Sequence, residues 1–277
     1  MLLDLHLHTS ASDGQYTPSE TVAMAKAKKL NLIAITDHDT VNGIVEAKEK
    51  ATELGLNFIS GIEISTQKKE EIHILGYEID ESNTELLEYC RVWEEGRLGR
   101  GGRICAFFEK RNIPINFEEV KTIAGTGSMG RPHFAQWLQE HGYVKERKDA
   151  FKKFLDTPEF HIETDRIKPS PDEAIELIHA AGGKAGLAHP GLLKMTLQEQ
   201  KILIKELKAH GLDGIECFYS KHDTGQAATY LSLAERNCLK ISCGSDFHGE
   251  LVKPIEMGMR LGQEHIEKLV IDIDAIN

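Results

Sequence analysis

The sequence has few aromatic residues, no long apolar run, no paired cysteine motif and no excess of positive charge. Each absence closes off a class of protein. The five cysteines, Cys90, Cys105, Cys217, Cys238 and Cys243, are odd in number and no two form a C-x-x-C pair. That argues against a disulfide framework or a zinc ribbon and suits a reducing compartment. The purely apolar runs fall far short of the roughly 20 residues that span a bilayer. The opening Met1-Leu2-Leu3-Asp4-Leu5-His6 lacks a basic stretch followed by a long apolar one, so no signal peptide and a soluble, cytoplasmic protein are expected. A net charge of −11 argues against a general polyanion binder. What remains is a chain of 277 residues, 40% hydrophobic, too apolar for disorder and of a length that one α/β barrel with an insert would fill.

Short strand-like runs alternate with helical ones. Leu3 to His8 alternates strictly, leucines on one face and Asp4, His6 and His8 on the other. Thr17-Pro18-Ser19-Glu20 is a helix start, with Thr as cap, Pro in the first turn and Glu closing a capping box, and it predicts a helix to about Lys29. A strand over 32–36, a helix over 41–54 and strands over 57–65 and 71–77 follow. From about residue 82 to 165 strand signals fade, both tryptophans appear (Trp93 and Trp137), and residues 91–153 carry 13 Lys/Arg against 8 Asp/Glu. The alternation then resumes at Ser170-Pro171-Asp172-Glu173, a second helix start of the same form, and continues with strands over 184–188, 214–218 and 239–243 and helices over 196–209 and 224–236. The expected organisation is a parallel β/α barrel domain of residues 1–81 and 166–277, and a mainly helical, basic insert of residues 82–165 forming a substrate-binding cap.

Polar residues gather where the strand-like runs end: His6 and His8, Asp37 and His38, Glu63, His189, then Asp246 and His248, with His73 inside the fourth run. In a parallel barrel those ends open onto one face, where active sites are built. Taken singly, each has an ordinary explanation. A His-x-His pair arises on any strand, Asp37-His38-Asp39 could be turn chemistry with Asp39 or Thr40 capping the next helix, and His73 between two isoleucines could be a core histidine. Glu63 in Ile62-Glu63-Ile64 is harder to place without a partner. Together, His6, His8, Asp13, His38, Glu63, His73, His189, Asp246 and His248 make six imidazoles and three carboxylates, a donor set for borderline divalent metals such as Zn, Mn or Fe. Nine donors are too many for one ion and suit two or three with open positions for water.

His6-Leu7-His8-Thr9-Ser10-Ala11-Ser12-Asp13-Gly14 resembles the first motif of the PHP (polymerase and histidinol phosphatase) metal-dependent phosphoesterases. Thr36-Asp37-His38-Asp39, Gly61-Ile62-Glu63-Ile64-Ser65, His73-Ile74-Leu75-Gly76-Tyr77, Arg131-Pro132-His133, Ala188-His189-Pro190-Gly191 and Gly244-Ser245-Asp246-Phe247-His248-Gly249 resemble its later motifs, in order and over nearly the whole chain. The resemblance implies an α/β fold, a distorted (β/α)7 barrel carrying a trinuclear metal centre. One ion would be held by His6, His8 and Asp246, with Glu63 bridging to a second held by His73 and His189, and a third by Asp13, His38 and His248. It also implies hydrolysis by a metal-activated water with no protein nucleophile, in keeping with the absence of a G-x-S-x-G elbow or a P-loop from the sequence.

The insert contains Arg97, Arg100 and Arg103 at three-residue spacing among glycines, near one face of a helix. By itself this is a basic turn; with Arg131-Pro132-His133 it resembles the phosphate-gripping insert of the PHP subgroup acting on nucleoside 3′,5′-bisphosphates and short RNA 5′ ends. Arg100, Arg103, Arg131 and His133 are the expected substrate contacts, with His222 at the rim. The expected partner is a phosphorylated nucleotide or short RNA, with no membrane and no obligate protein partner. Alternatives are a nucleotide monophosphatase, a histidinol-phosphate phosphatase, an amidohydrolase-type C–N hydrolase, which also opens with His-x-His, and a metal-dependent binding module.

Overall fold

The computed structural model describes residues 1–68, 70–124, 129–164, 168–249 and 255–273, with the side chains of Arg97 and Leu98 outside the described part. The chain divides into two compact units: Met1–Cys90 with Lys168–Asn277, and Arg91–Ile167. The sequence places the change at 82 and the return at 165. The first division falls later, inside one helix, and the second touches residues 165–167, which lie outside the described residues.

The first unit is an eight-stranded sheet: β1 (Leu2–Leu7), β2 (Leu32–Ile35), β3 (Asn57–Gln67), β4 (Glu71–Tyr77), β5 (Lys184–Leu187), β6 (Gly214–Tyr219), β7 (Lys240–Gly244) and β8 (Met259–Arg260), in the order β7-β6-β5-β4-β3-β2-β1-β8. Where β1 and β7 end, His8 N–H donates to the Phe247 carbonyl at 3.0 Å and Asp246 N–H to the His6 carbonyl at 2.9 Å, bringing the sheet to a nearly closed barrel. Helices α1 (Pro18–Ala27), α2 (Ile44–Leu54) and the start of α3 (Thr84–Glu109) belong to the first half of this unit.

The expected parallel sheet has two departures: the short β8, which the sequence reading did not include, pairs antiparallel with β1, and β4 is reversed. β4 runs antiparallel to both β3 and β5, pairing Ser65 with His73 and Glu63 with Leu75. The reversal decides where the site forms, because the start of β4 then lies beside the carboxyl end of β3. His73, near the beginning of its strand, therefore reaches the same face as residues at the ends of the others.

Local signals account for the helix starts. Thr17 accepts from Glu20 N–H at 3.2 Å while the Glu20 carboxylate accepts from Thr17 N–H at 2.9 Å, with Pro18 in the first turn. α2 begins three residues later than the sequence suggests, after Gly43 and without a side-chain cap. Asp39 is not a helix cap. It has a positive φ of 55° and accepts from Ser65 N–H (2.8 Å), Ser65 Oγ (2.9 Å) and Tyr89 Oη (2.8 Å), so it ties the end of β2 to β3.

The second unit contains the rest of α3, then α4 (Phe117–Ala124), α5 (Arg131–Glu140), α6 (Arg147–Ala150), a π-turn (Phe151–Leu155) and α7 (Pro158–Thr164). It has its own core: Phe107, Phe108, Phe134, Trp137, Leu138 and Phe160 are buried together, with Phe107 edge-on to both Phe108 and Phe160. A chain poor in aromatic residues overall concentrates them here, as a short helical segment needs large side chains to build a core. The first unit is completed by α8 (Pro171–Ala180), started by Ser170 and Glu173 as α1 is by Thr17 and Glu20, and by α9 (Leu197–Ala209), α10 (Thr224–Arg236) and α11 (Gln263–Ile266). Among the described residues, no helix is long and apolar enough to cross a membrane.

Candidate metal centre

β1 alternates as its sequence predicts, and every residue from Leu3 to His8 is buried. Asp4 anchors the strand. It accepts from the N–H groups of Gly258 (2.7 Å), Ser245 (2.9 Å) and His6 (3.3 Å), and burial pushes its carboxyl up to about 6 against the pull of these bonds. His6 and His8 follow on the same face.

Glu63 lies at the centre, fully buried. Its Oε1 is 2.9 Å from His73 Nδ1 and 2.9 Å from His189 Nε2; its Oε2 is 3.0 Å from His38 Nδ1 and 3.3 Å from both His6 Nε2 and His8 Nε2. Five imidazoles thus face one carboxylate. Burial would raise the Glu63 carboxyl, but His38, His73 and His6 hold it well below the usual carboxylate range. Burial works against protonated imidazole at His8 and His73, yet Asp246 and Glu63 lift His8 to about 9, and Glu63 and Glu71 lift His73 to about 10. His38 goes the other way, to about 3, because its burial outweighs the attraction of Glu63.

The remaining three residues close the cluster. Asp246 Oδ1 is 3.4 Å from His8 Nε2, and its Oδ2 accepts from Tyr219 Oη at 2.8 Å. His248 Nδ1 donates to the Asp246 carbonyl at 2.9 Å, which turns its Nε2 to within 3.3 Å of Asp13 Oδ1. Asp13 is carried by the loop after β1, which Asp37 pins by accepting from Thr9 N–H (2.7 Å), Thr9 Oγ1 (2.7 Å) and Ser12 Oγ (2.6 Å). His189 and Asp246 both have positive φ, 25° and 58°, a strain of about 1–3 kcal/mol at a non-glycine residue that the surrounding contacts must hold.

All nine residues singled out from the sequence are therefore brought together. Their donor atoms form four overlapping groups that could each hold an ion: His8, Asp13, His38 and His248; His6, Glu63 and His189; His6, His8 and Asp246; and His38, Glu63 and His73. The donor chemistry fits divalent ions independently. His6 Nε2, both nitrogens of His8, Glu63 Oε2 and His189 Nδ1 are buried without an aligned hydrogen bond. Buried polar atoms are rarely left so, and convergent imidazole lone pairs beside carboxylates are what a cation satisfies.

Four of the five expected substrate contacts lie in the second unit. Arg100, Arg103, Arg131 and His133 belong to the second unit, and within it Arg103 Nε donates to the Thr164 carbonyl (3.3 Å), Arg131 Nη1 to Asp156 Oδ1 (3.0 Å), and His133 Nδ1 accepts from Gly130 N–H (2.9 Å) at the start of α5. His222, in the first unit, has both ring nitrogens on the backbone: Nδ1 donates to the Cys217 carbonyl at 3.1 Å and Nε2 accepts from Gly191 N–H at 3.1 Å. It braces the turn after His189.

Sequence reasoning missed Glu216. This fully buried carboxylate on β6 meets His6 Nδ1 at 2.9 Å through Oε1 and accepts from His189 N–H at 2.7 Å through Oε2. The signal was present: Glu216 interrupts the apolar run Gly214–Tyr219 just as Glu63 interrupts Ile62–Ile64. Glu71, which meets His73 Nε2 at 3.1 Å and pairs with Lys168, was missed as well.

A barrel whose one open end gathers nine metal-type donors defines a class, the metal-dependent hydrolases. Comparison with known proteins narrows it. The PHP domain pattern matches residues 4–156, and a 5′-3′ exoribonuclease of Escherichia coli is 36% identical over 94% of this chain and 89% of its own. A 3′,5′-nucleoside bisphosphate phosphatase of Chromobacterium violaceum is 34% identical over 96% of this chain and 92% of its own. The chain belongs to the PHP family and is a metal-dependent phosphoesterase. Two solved structures share the fold across almost their entire length. One, named an amidohydrolase, from Chromobacterium violaceum with bound sulfate, has a TM-score of 0.79 at 31% identity, covering 98% of this chain and 99% of that one. The other, from Bifidobacterium adolescentis and named for an expected metal-dependent phosphoesterase activity, has a TM-score of 0.77 at 30% identity, covering 99% and 98%.

Proposed function

We propose that this chain removes one phosphate from a nucleoside 3′,5′-bisphosphate, and acts on the 5′ ends of short RNA, using three divalent ions (Mn, Fe or Zn) held by His6, His8, Asp13, His38, Glu63, His73, His189, Asp246 and His248. The observation that carries the reading is Glu63 with five imidazole nitrogens within 3.3 Å, an arrangement suited to a carboxylate shared between ions. Relatives named as a bisphosphate phosphatase and as exoribonucleases support the substrate class.

Bound divalent ions supply charge that polarises phosphoryl oxygens and lowers the pKa of water toward neutrality. The chain's own residues hold and orient that charge. Asp4, Asp37 and Tyr219 fix the backbone and carboxylates around it, and the His248 bond to the Asp246 carbonyl fixes one ring tautomer. The bias of 13 basic against 8 acidic residues over 91–153 supports assigning the second, non-reacting phosphate to Arg100, Arg103, Arg131 and His133. With both nitrogens of His222 engaged, its part is to support the His189 turn.

The test is phosphate release by the Mn-loaded protein from adenosine 3′,5′-bisphosphate, AMP, histidinol phosphate and a 5′-phosphorylated RNA trimer, with Asp246→Ala as control. The bisphosphate should be strongly preferred and the control inactive. Equal turnover of AMP would remove the arginine assignment, and no release from a metal-loaded protein would overturn the reading.

A further inference from the structure

We propose that Glu216 is a positioning residue that sets the tautomer of His6 and, with its other oxygen, holds His189 in place, so that one carboxylate controls two donors from different strands. The inference rests on the metal-centre reading above and adds to it a residue outside the nine.

The geometry is specific. His6 Nδ1 is 2.9 Å from Glu216 Oε1, placed for an Nδ1–H to donate to that carboxylate, which leaves Nε2 to present its lone pair on the side of Glu63 Oε2, 3.3 Å away, and Asp246 Oδ1, 3.8 Å away. Glu216 Oε2 accepts from the His189 N–H at 2.7 Å. That bond fixes a residue whose φ of 25° is unfavourable without support. His222 secures the far side of the same turn through Gly191 N–H at 3.1 Å. Gly244 lets the pair pack against β7, since a Cβ there would lie 2.1 Å from His6 Cβ and 2.9 Å from Glu216 Oε1. Carboxylates that hold the outer nitrogen of a metal-binding imidazole commonly alter affinity by about 10–100-fold when removed.

Glu216→Gln is the informative change because it keeps the shape and halves the acceptors. If the amide oxygen stays on the His189 N–H, the NH₂ group faces His6 Nδ1, which must then accept, and the ring proton moves to Nε2. If the amide turns over, its NH₂ opposes the His189 N–H. Either arrangement spoils one donor of the cluster. A residue needed only for folding would give a different result, because its neutral isostere, if folded, would leave metal affinity alone.

The experiment measures Zn(II) affinity by competition with a chromophoric chelator, Mn(II)-dependence of turnover, and thermal stability of the metal-free proteins, for wild type and Glu216→Gln. The expected result is a 10–100-fold weaker zinc affinity, turnover that recovers toward wild type as Mn(II) is raised, and retained folding. In the zinc-loaded proteins, the Nδ1–H proton of His6 should be protected and visible by NMR in wild type, and shifted or lost to exchange in the variant. A variant that folds with wild-type zinc affinity and the same His6 proton overturns the assignment. If the variant does not fold, the wild-type NMR spectrum decides alone, and absence of a protected Nδ1–H overturns the assignment. Failure of the wild type to bind zinc at all would instead overturn the metal-centre reading.

Discussion

Asp37 offers the sharpest quantitative test of how the site is held together. The side chain is buried and accepts three hydrogen bonds, from Thr9 N–H at 2.7 Å, Thr9 Oγ1 at 2.7 Å and Ser12 Oγ at 2.6 Å, which together fold the loop that carries Asp13. Hydrogen bonds to a charged acceptor are worth about 1.5–3 kcal/mol each and are not additive. Asp37→Ala leaves the buried Thr9 N–H with no acceptor, so a loss of about 3–5 kcal/mol is expected, on the order of two such bonds. Asp37→Asn should lose only about 1–2 kcal/mol. Its amide oxygen can still serve Thr9 N–H and Ser12, and its NH₂ can donate to Thr9 Oγ1, which already accepts from Ala11 N–H at 3.1 Å. Denaturant unfolding of the metal-free proteins, followed by metal titration, reads both effects. Asp37→Ala within 1 kcal/mol of wild type, or as well loaded with metal, would refute the reasoning.

Three further outcomes are expected. Gly244→Ala should destabilise the metal-free protein by about 1–3 kcal/mol or more and weaken metal binding, because the new Cβ would stand 2.1 Å from His6 Cβ; unfolding and metal titration check it. Thr17→Ala should lower stability by about 1 kcal/mol through loss of the α1 cap and leave metal content unchanged, as thermal melts and metal analysis would show. Trp137→Ala should destabilise the second unit by about 3–5 kcal/mol. Trp137 is buried, donates to Glu119 Oε2 at 2.6 Å and stacks on His141, and limited proteolysis between residues 91 and 167 should accelerate while the first unit persists.

β1 and the starts of α1 and α8 were readable because each rests on a local rule: alternation in Leu3–His8, and Ser/Thr-Pro-x-Glu before the two helices. The direction of β4 was not readable, since alternation looks the same whichever way a strand runs, and only its pairing with β3 and β5 reveals the reversal. The role of Asp39 was hidden for a related reason. An Asp before a helix has the chemistry of a cap, and the competing acceptor role toward Ser65 and Tyr89 depends on residues distant in sequence. The nine clustered donors could be picked out because they fall in short motifs, whereas Glu216 stands alone in β6 and acquires meaning only beside His6 and His189. The spacing of Arg97, Arg100 and Arg103 speaks only of a helix face, and the partner that Arg103 finds, the Thr164 carbonyl, comes from later in the chain.

The central claim is that Glu63 joins the donors of β1, β2, β4 and β5 into one centre that binds metal and hydrolyses phosphoesters. It is tested most directly by measuring bound metal per chain, after Mn(II) loading and desalting, together with phosphate release from adenosine 3′,5′-bisphosphate, for wild type and Glu63→Gln. The wild type should retain more than one ion per chain and release phosphate. The variant, folded but lacking the central charge that five imidazoles face, should lose most of its metal and its turnover. Unchanged metal content and unchanged turnover in Glu63→Gln would contradict the account.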